Sequence, residues 1–189
     1  MTITLTAIPD VFIIKPRVCE DARGYFVEAY SEQRYREAGI TCAFVQDNES
    51  CSMKGVLRGL HYQVPPFAQA KLVRVIKGAV LDVVVDIRRN SPTFGKYVTA
   101  HLSEANKQQM FIPHGFAHGF LVLEDNTIFS YKCDNYYSPQ HERGIRWDDP
   151  QINIQWPQLD VPFVLSEKDE RQPFLADAVL FENEKETTR

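Results

Sequence analysis

The chain has 189 residues, 44% hydrophobic and 12% aromatic, which fits one globular domain with a core of its own. Its formal net charge is −4, with Lys and Arg scattered rather than massed on one segment, so nucleic acid is not expected as a partner. Residues 1–12 lack a basic start followed by a long apolar stretch, and the longest apolar run is broken by Asp82 and Asp86. Neither a secretory signal nor a membrane span is therefore expected.

Segments rich in β-branched and aromatic residues recur along the chain, with turn signals between them. Residues 24–30 read as a strand, and residues 31–39 as one short helix capped by Ser31 and stopped by Gly39. Further strands are expected at 44–48, 56–62, 71–77, 80–87, 97–102, 109–112, 119–123 and 127–135. Gly78, the Asn90-Ser91-Pro92 cluster and Glu124-Asp125-Asn126 mark turns between them. Many short strands and few helices imply a sandwich, a jelly roll or a barrel. Cys19, Cys42, Cys51 and Cys133 stand far apart without a Cys-x-x-Cys pair. Reduced thiols in a cytoplasmic protein are expected, rather than a disulfide framework or a thiolate zinc site.

Alternation along the strands places polar groups on faces that otherwise read as buried. Lys71 shares a face with Val73 and Val75, Tyr131 with Phe129 and Cys133, and Asp82 with Val84 and Asp86. Such groups cost free energy unless they are paired or used, and a small β-barrel with ionisable groups in its mouth suits a small-molecule ligand.

Four residues stand out chemically. His61 lies in an apolar strand pattern, where a histidine serves as general base, metal ligand or hydrogen-bonded core residue. Lys71 reads as a cation for a developing oxyanion or as a surface lysine at a strand start. Tyr131 reads as a proton donor or as a core tyrosine. Asp169 stands ready to orient His61, and equally fits a helix cap begun by Ser166. The segment Pro113-His114-Gly115-Phe116-Ala117-His118 has the Pro-x-Gly-x-x-His spacing of the second cupin motif. In metal-dependent cupins an earlier strand adds a His-x-His pair. Here that strand reads His61-Tyr62-Gln63, so the fold is expected without a metal. No dinucleotide fingerprint or phosphate loop is present, and a base, a cation and an acid without cofactor suit proton abstraction beside a carbonyl.

Several segments occur in the same order in one known family: Asp21-Ala22-Arg23-Gly24-Tyr25-Phe26, Phe44-Val45-Gln46-Asp47-Asn48, Leu57-Arg58-Gly59-Leu60-His61-Tyr62-Gln63, Gln69-Ala70-Lys71-Leu72-Val73-Arg74, Ser91-Pro92-Thr93-Phe94-Gly95 and Leu165-Ser166-Glu167-Lys168-Asp169. Together with residues 112–120 and 131–137, they make the chain resemble the dTDP-4-dehydrorhamnose 3,5-epimerase family over most of its length. The resemblance implies an all-β cupin jelly roll with a few short helices. It also implies a single domain over residues 1–189 with a peripheral tail from about 176, and a cytoplasmic homodimer without cofactor or metal. The implied reaction converts dTDP-4-dehydro-6-deoxy-D-glucose to dTDP-4-dehydro-L-rhamnose through a C4 enolate; a single-site 3- or 5-epimerase is the alternative. His61 matches the base, Asp169 its carboxylate partner, Lys71 the cation for the enolate oxygen, and Tyr131 the acid that acts chiefly at C5. Arg23 and Arg58 match groups on the diphosphate. Glu28, Gln46 and Asn48 match the nucleoside pocket, Phe26 and Tyr137 groups that line or stack on the thymine. His118 lies beside the sugar, with Asp82 as partner to it or to Lys71, and Lys168 also reaches the substrate. Strict alternation would put Arg58 and His61 on opposite faces, so either a bulge or twist at Gly59 is expected or Arg58 precedes the regular strand.

Overall fold

A computed structural model of the chain describes residues 1–181. In chain order the elements are β1 (Thr2–Leu5), β2 (Phe12–Lys15), β3 (Val18–Asp21), β4 (Gly24–Val27), α1 (Glu32–Glu37), β5 (Gln46–Ser52), β6 (Leu57–Gln63) and β7 (Lys71–Lys77). They continue with β8 (Ala79–Asp86), β9 (Tyr97–Ser103), β10 (Gln109–Ile112), β11 (Phe116–Val122), β12 (Thr127–Cys133), β13 (Glu142–Gly144) and α2 (Glu167–Glu170), then a 3-10 turn at Leu175–Asp177. No helix among the described residues is long and apolar enough to cross a membrane.

The strands build a jelly roll. One sheet runs β1-β2-β10-β7-β12-β5, the second β13-β6-β11-β8-β9, and β3-β4 form a separate hairpin. The main core lies between the two sheets, where Val73, Val75, Met110, Ile112 and Phe129 of the first meet Val80, Val84, Phe116, Phe120 and Val122 of the second. Inward positions two apart on β7, β8, β11 and β12 explain this set, because side chains alternate across a strand. The outer faces are covered as well. Tyr35 and Ile40 pack over Leu72 and Ile14 of the first sheet. Ile145, Ile152, Ile154, Leu175 and Ala178 pack over Leu60, Val83, Val85 and Ala117 of the second. The wholly apolar face of β8 is thus buried too, and the alternating Asp82 points into the sandwich.

Each expected strand overlaps an observed one; those at 71–77 and 109–112 match at both ends and the others differ by one to four residues at an end. The strand expected over 24–30 stops at Val27, and the one expected over 44–48 runs on to Ser52. The helix begins after Ser31, but the Ser31 side chain makes no cap bond. The positive φ of Gly39 (91°) turns the chain out of the helix. In the tail expected to be peripheral from about 176, the described residues as far as Phe181 pack against the outer face of the second sheet. Ala178 is buried, the Tyr62 hydroxyl donates to the Val179 carbonyl at 2.7 Å, and Phe181 bridges to Arg88. The rest of that tail, residues 182–189, lies outside the described residues.

Candidate active site

A cleft opens between the two sheets at one end of the sandwich. Its deeper part, a cavity of about 440 Å³, is lined by His61, Lys71, His118, Tyr131 and Asp169 among others. An adjoining cavity of about 320 Å³ is lined by Gln46, Asn48, Gln69, Tyr137 and Glu142, and shares His61, Lys71 and Tyr131 with the first. Those three residues therefore sit where the two cavities meet.

The first sheet delivers its polar groups through register. Asn48 lies opposite Tyr131 and Gln46 opposite Cys133 across β5 and β12, while Lys71 lies opposite Cys133 across β7 and β12. Period-two alternation then puts Gln46, Asn48, Ser50, Tyr131 and Lys71 on one face. Gln46 donates to Asn48 at 3.0 Å and accepts from the Tyr137 backbone N–H at 3.0 Å, which fixes that side of the cleft.

The second sheet delivers His61 and Arg58 through a bulge. On β11, His118 pairs with His61 and Phe120 with Arg58, so the spacing along β6 is one residue longer than along its partner. Gly59 makes this possible: its φ is 131°, and a Cβ there would stand 2.5 Å from the Gly119 Cα and 2.9 Å from the His118 carbonyl oxygen. Arg58 accordingly lines the same cavity as His61, and its guanidinium donates to the Ser52 hydroxyl at 3.1 and 3.2 Å.

His61 Nε2 lies 2.5 Å from Asp169 Oδ1. The two contacts expected of Asp169 coexist, because its own N–H also donates to the Ser166 hydroxyl at 3.2 Å, which caps α2. Burial pushes the Asp169 carboxyl up, but the hydrogen bond and charge of His61, with Ser166 and the Gly59 backbone, outweigh it and hold the carboxyl below its usual range. Behind His61, buried His118 Nε2 meets Asp82 at 2.9 and 3.1 Å. Burial is the largest influence on both, raising Asp82 and lowering His118.

Among the described residues no carboxylate forms an ion pair with Lys71. Desolvation pushes its ammonium below the ordinary lysine range, opposed by Cys133, Asp82 and Glu142. Desolvation likewise pushes the Tyr131 phenol up, with Cys133 adding to the rise and Arg58 opposing it. The site thus holds a paired imidazole, an unpaired ammonium and a phenol that keeps its proton.

Lys168, on α2, pairs with Glu142 at 2.5 Å, and the Tyr137 hydroxyl donates to the same carboxylate at 2.6 Å. Glu142 is a site residue that the sequence reading misses, as are Ser50 and Ser52. The serines carried a signal, since they continue the Gln46 and Asn48 alternation. Glu142 carried none, because its strand has only three residues.

Three expected binding residues stand elsewhere in the protomer. The Arg23 side chain is 90% exposed and pairs with Asp21 at 2.6 Å, Phe26 is 71% exposed, and Glu28 pairs with Arg34 at 3.1 Å. They belong to the β3–β4 hairpin and the turn after it, and none lines either cavity of the cleft. The reason is topological: the hairpin pairs only with itself. Gln63, at the position of the second histidine in metal-dependent cupins, braces loops instead. Its amide donates to the Phe67 and Tyr136 carbonyls and accepts from the Ser138 N–H, at 2.7, 3.1 and 2.6 Å. Among the described residues no three His, Cys, Asp or Glu side chains converge as a metal-ion set. His114 pairs with Asp134 at 2.8 Å, away from the cleft.

The family model described as dTDP-4-dehydrorhamnose 3,5-epimerase matches residues 5–177. The dTDP-4-dehydrorhamnose 3,5-epimerase of Shigella flexneri is 53% identical over 182 residues, which cover 96% of this chain and 99% of that one. A similar solved structure is the dTDP-6-deoxy-D-glucose-3,5-epimerase of Legionella pneumophila in complex with dTDP-4-keto-L-rhamnose. It is 50% identical over 93% of each chain, with a TM-score of 0.90. A 3'-monoepimerase of Streptomyces bikiniensis, solved with dTDP-quinovose, is 34% identical over 90% of this chain and 86% of that one, with a TM-score of 0.85.

Proposed function

The chain belongs to the dTDP-4-dehydrorhamnose 3,5-epimerase family, and on that footing we propose that it converts dTDP-4-dehydro-6-deoxy-D-glucose to dTDP-4-dehydro-L-rhamnose without a cofactor. One observation carries this reading: a carboxylate-held imidazole, a lysine without a carboxylate partner among the described residues and a half-buried phenol line one cleft. The C4 ketone acidifies the hydrogens at C3 and C5. The His61 nitrogen not held by Asp169 takes one of them, and the C–H electron pair moves into the enolate, leaving negative charge on the C4 oxygen. Asp169 holds the ring and stabilises the imidazolium that forms. Lys71 stabilises the enolate oxygen, and partial desolvation strengthens that attraction. Tyr131 returns a proton from the opposite face, chiefly at C5, and regains one by exchange with solvent as His61 releases its own. Atoms balance with no oxidant or reductant.

In the same reading Arg58 grips the diphosphate, Gln46, Asn48 and Tyr137 border the nucleoside, and His118, held by Asp82, lies beside the sugar with Lys168 at the rim. The enzyme is a cytoplasmic homodimer of one-domain subunits. The exposure of Arg23 and Phe26 supports a dimer in which the hairpin of one subunit completes the nucleotide site of the other. Incubation in heavy water with the 4-keto-6-deoxy substrate, followed by proton NMR and mass spectrometry, tests the reaction. Exchange at both C3 and C5 is expected. Exchange at one carbon alone makes the protein a single-site epimerase, and none above an enzyme-free control overturns the reading.

A further inference from the structure

The two halves of the cleft differ in chemistry more than binding a sugar nucleotide in general requires. The half bordered by Gln46, Asn48, Gln69 and Glu142 is polar. The other half has an apolar wall against the reacting groups, formed by Val56, Phe120, Phe129 and Val164. Its parts are packed against or paired with one another. The Phe120 and Phe129 rings stack at 4.0 Å between centroids, and Phe129 lies 6.1 Å from both the His118 and the Tyr131 rings. Val56 and Val164 are bridged to each other by backbone pairing. Besides the Tyr131 phenol, the hydroxyls that border this cavity are those of Ser50, cross-strand from Phe129, and Ser166.

A 4-keto-6-deoxyhexose carries an exocyclic oxygen at every ring carbon except C5, whose exocyclic substituent is a methyl group. We infer that the Val56–Phe120–Phe129–Val164 wall is the subsite for that C6 methyl, and that it selects 6-deoxy sugars over their 6-hydroxy counterparts. This inference rests on the epimerase reading. Contact with the wall removes the methyl from water and fixes the rotation of the sugar, which presents C5 to the phenol of Tyr131. A 6-hydroxyl placed there would lose water contacts that an apolar wall does not replace.

Two stable ligands lacking the ketone, dTDP-6-deoxyglucose and dTDP-glucose, differ only by that hydroxyl. Titration calorimetry is expected to show the 6-deoxy compound binding about 10- to 100-fold more tightly, the range in which an apolar pocket rejects an added hydroxyl. Val56→Thr and Val164→Thr are near-isosteric changes at partly exposed positions, and each is expected to narrow that ratio at least about 3-fold. Equal binding of the two ligands, in an enzyme that still exchanges substrate hydrogens in heavy water, overturns the subsite and leaves the epimerase reading standing. An unchanged ratio in both variants moves the selectivity away from this wall and also overturns the assignment. Loss of exchange by the unmodified enzyme sinks the reaction itself.

Discussion

Arg58 and His61 face the same cavity although strand alternation would part them, and the cause is the bulge at Gly59 against Gly119. Gly119 is the partner whose missing side chain permits the approach. A Cβ there would stand 2.7 Å from the Arg58 carbonyl oxygen and 3.2 Å from the Gly59 Cα, both backbone atoms that cannot swing aside.

Gly119→Ala is therefore expected to force β6 and β11 apart, at a cost of about 1–3 kcal/mol of stability for overpacking. Because Arg58 and His61 both hang from the displaced strand, dTDP affinity and turnover should fall together. Calorimetry with dTDP beside a kinetic assay checks this. Full turnover with a lowered melting temperature would show that the bulge serves packing alone.

Asp169→Asn keeps the shape of the side chain and removes its charge. Turnover is expected to drop about 10²–10⁴-fold, the usual contribution of an oriented acid–base group. Affinity for dTDP should stay within about threefold, because Asp169 meets the imidazole rather than the nucleotide side of the cleft. The ratio of single-turnover rates separates chemistry from binding, and a loss confined to KM would remove Asp169 from the mechanism.

The pH profile should carry the mark of Lys71. Desolvation lowers its pKa, and only the protonated form attracts the enolate oxygen. Activity must then fall as pH rises through the lowered value, so the alkaline limb of kcat/KM starts below the ordinary lysine value of about 10.4. Tyr131 is not the source of that limb, because desolvation pushes its phenol upward. Lys71→Arg, which keeps its charge at any accessible pH, should shift the limb upward at a reduced rate. Lys71→Gln should lose about 10²–10³-fold in kcat, as removal of an oxyanion donor does. An alkaline limb that stays in place in Lys71→Arg would assign it to another group.

Much of this site was legible because β7 over Lys71–Val75 and β12 over Phe129–Cys133 obey simple alternation. Lys71 follows the face of Val73 and Val75, and Tyr131 that of Phe129, so an inward cation and phenol could be read from period two alone. Where the period breaks, legibility ends: the placement of Arg58 beside His61 depends on a bulge whose steric cause, Gly119, lies on another strand. The second half of strand β5, Glu49-Ser50-Cys51-Ser52, lacks the β-branched and aromatic residues that signal a strand. Its inward residues face a polar cleft rather than a core, which removes the hydrophobic signal. Strands β1 and β2 are four residues each, and β13 has only Glu142, Arg143 and Gly144, too little pattern to register. Asp169 shows the opposite situation, where two placements expected of one residue coexist, since its backbone N–H is capped by the Ser166 hydroxyl and its carboxylate meets His61.

The hairpin residues offer the last test, and it bears on the proposed dimer. Arg23 extends into solvent on a hairpin paired only with itself, while the cleft proposed to bind the diphosphate lies elsewhere in the protomer. If the partner supplies Arg23, a subunit carrying Arg23→Ala and one carrying His61→Ala complement each other. Their heterodimer holds one intact site, with His61 from the first chain and Arg23 from the second. Each variant alone is expected to be nearly inactive at low substrate, and an equimolar mixture, unfolded and refolded together, should recover about a quarter of full activity by random pairing of two chains. If Arg23 serves its own subunit, no heterodimer has a complete site, and the mixture stays as inactive as its components.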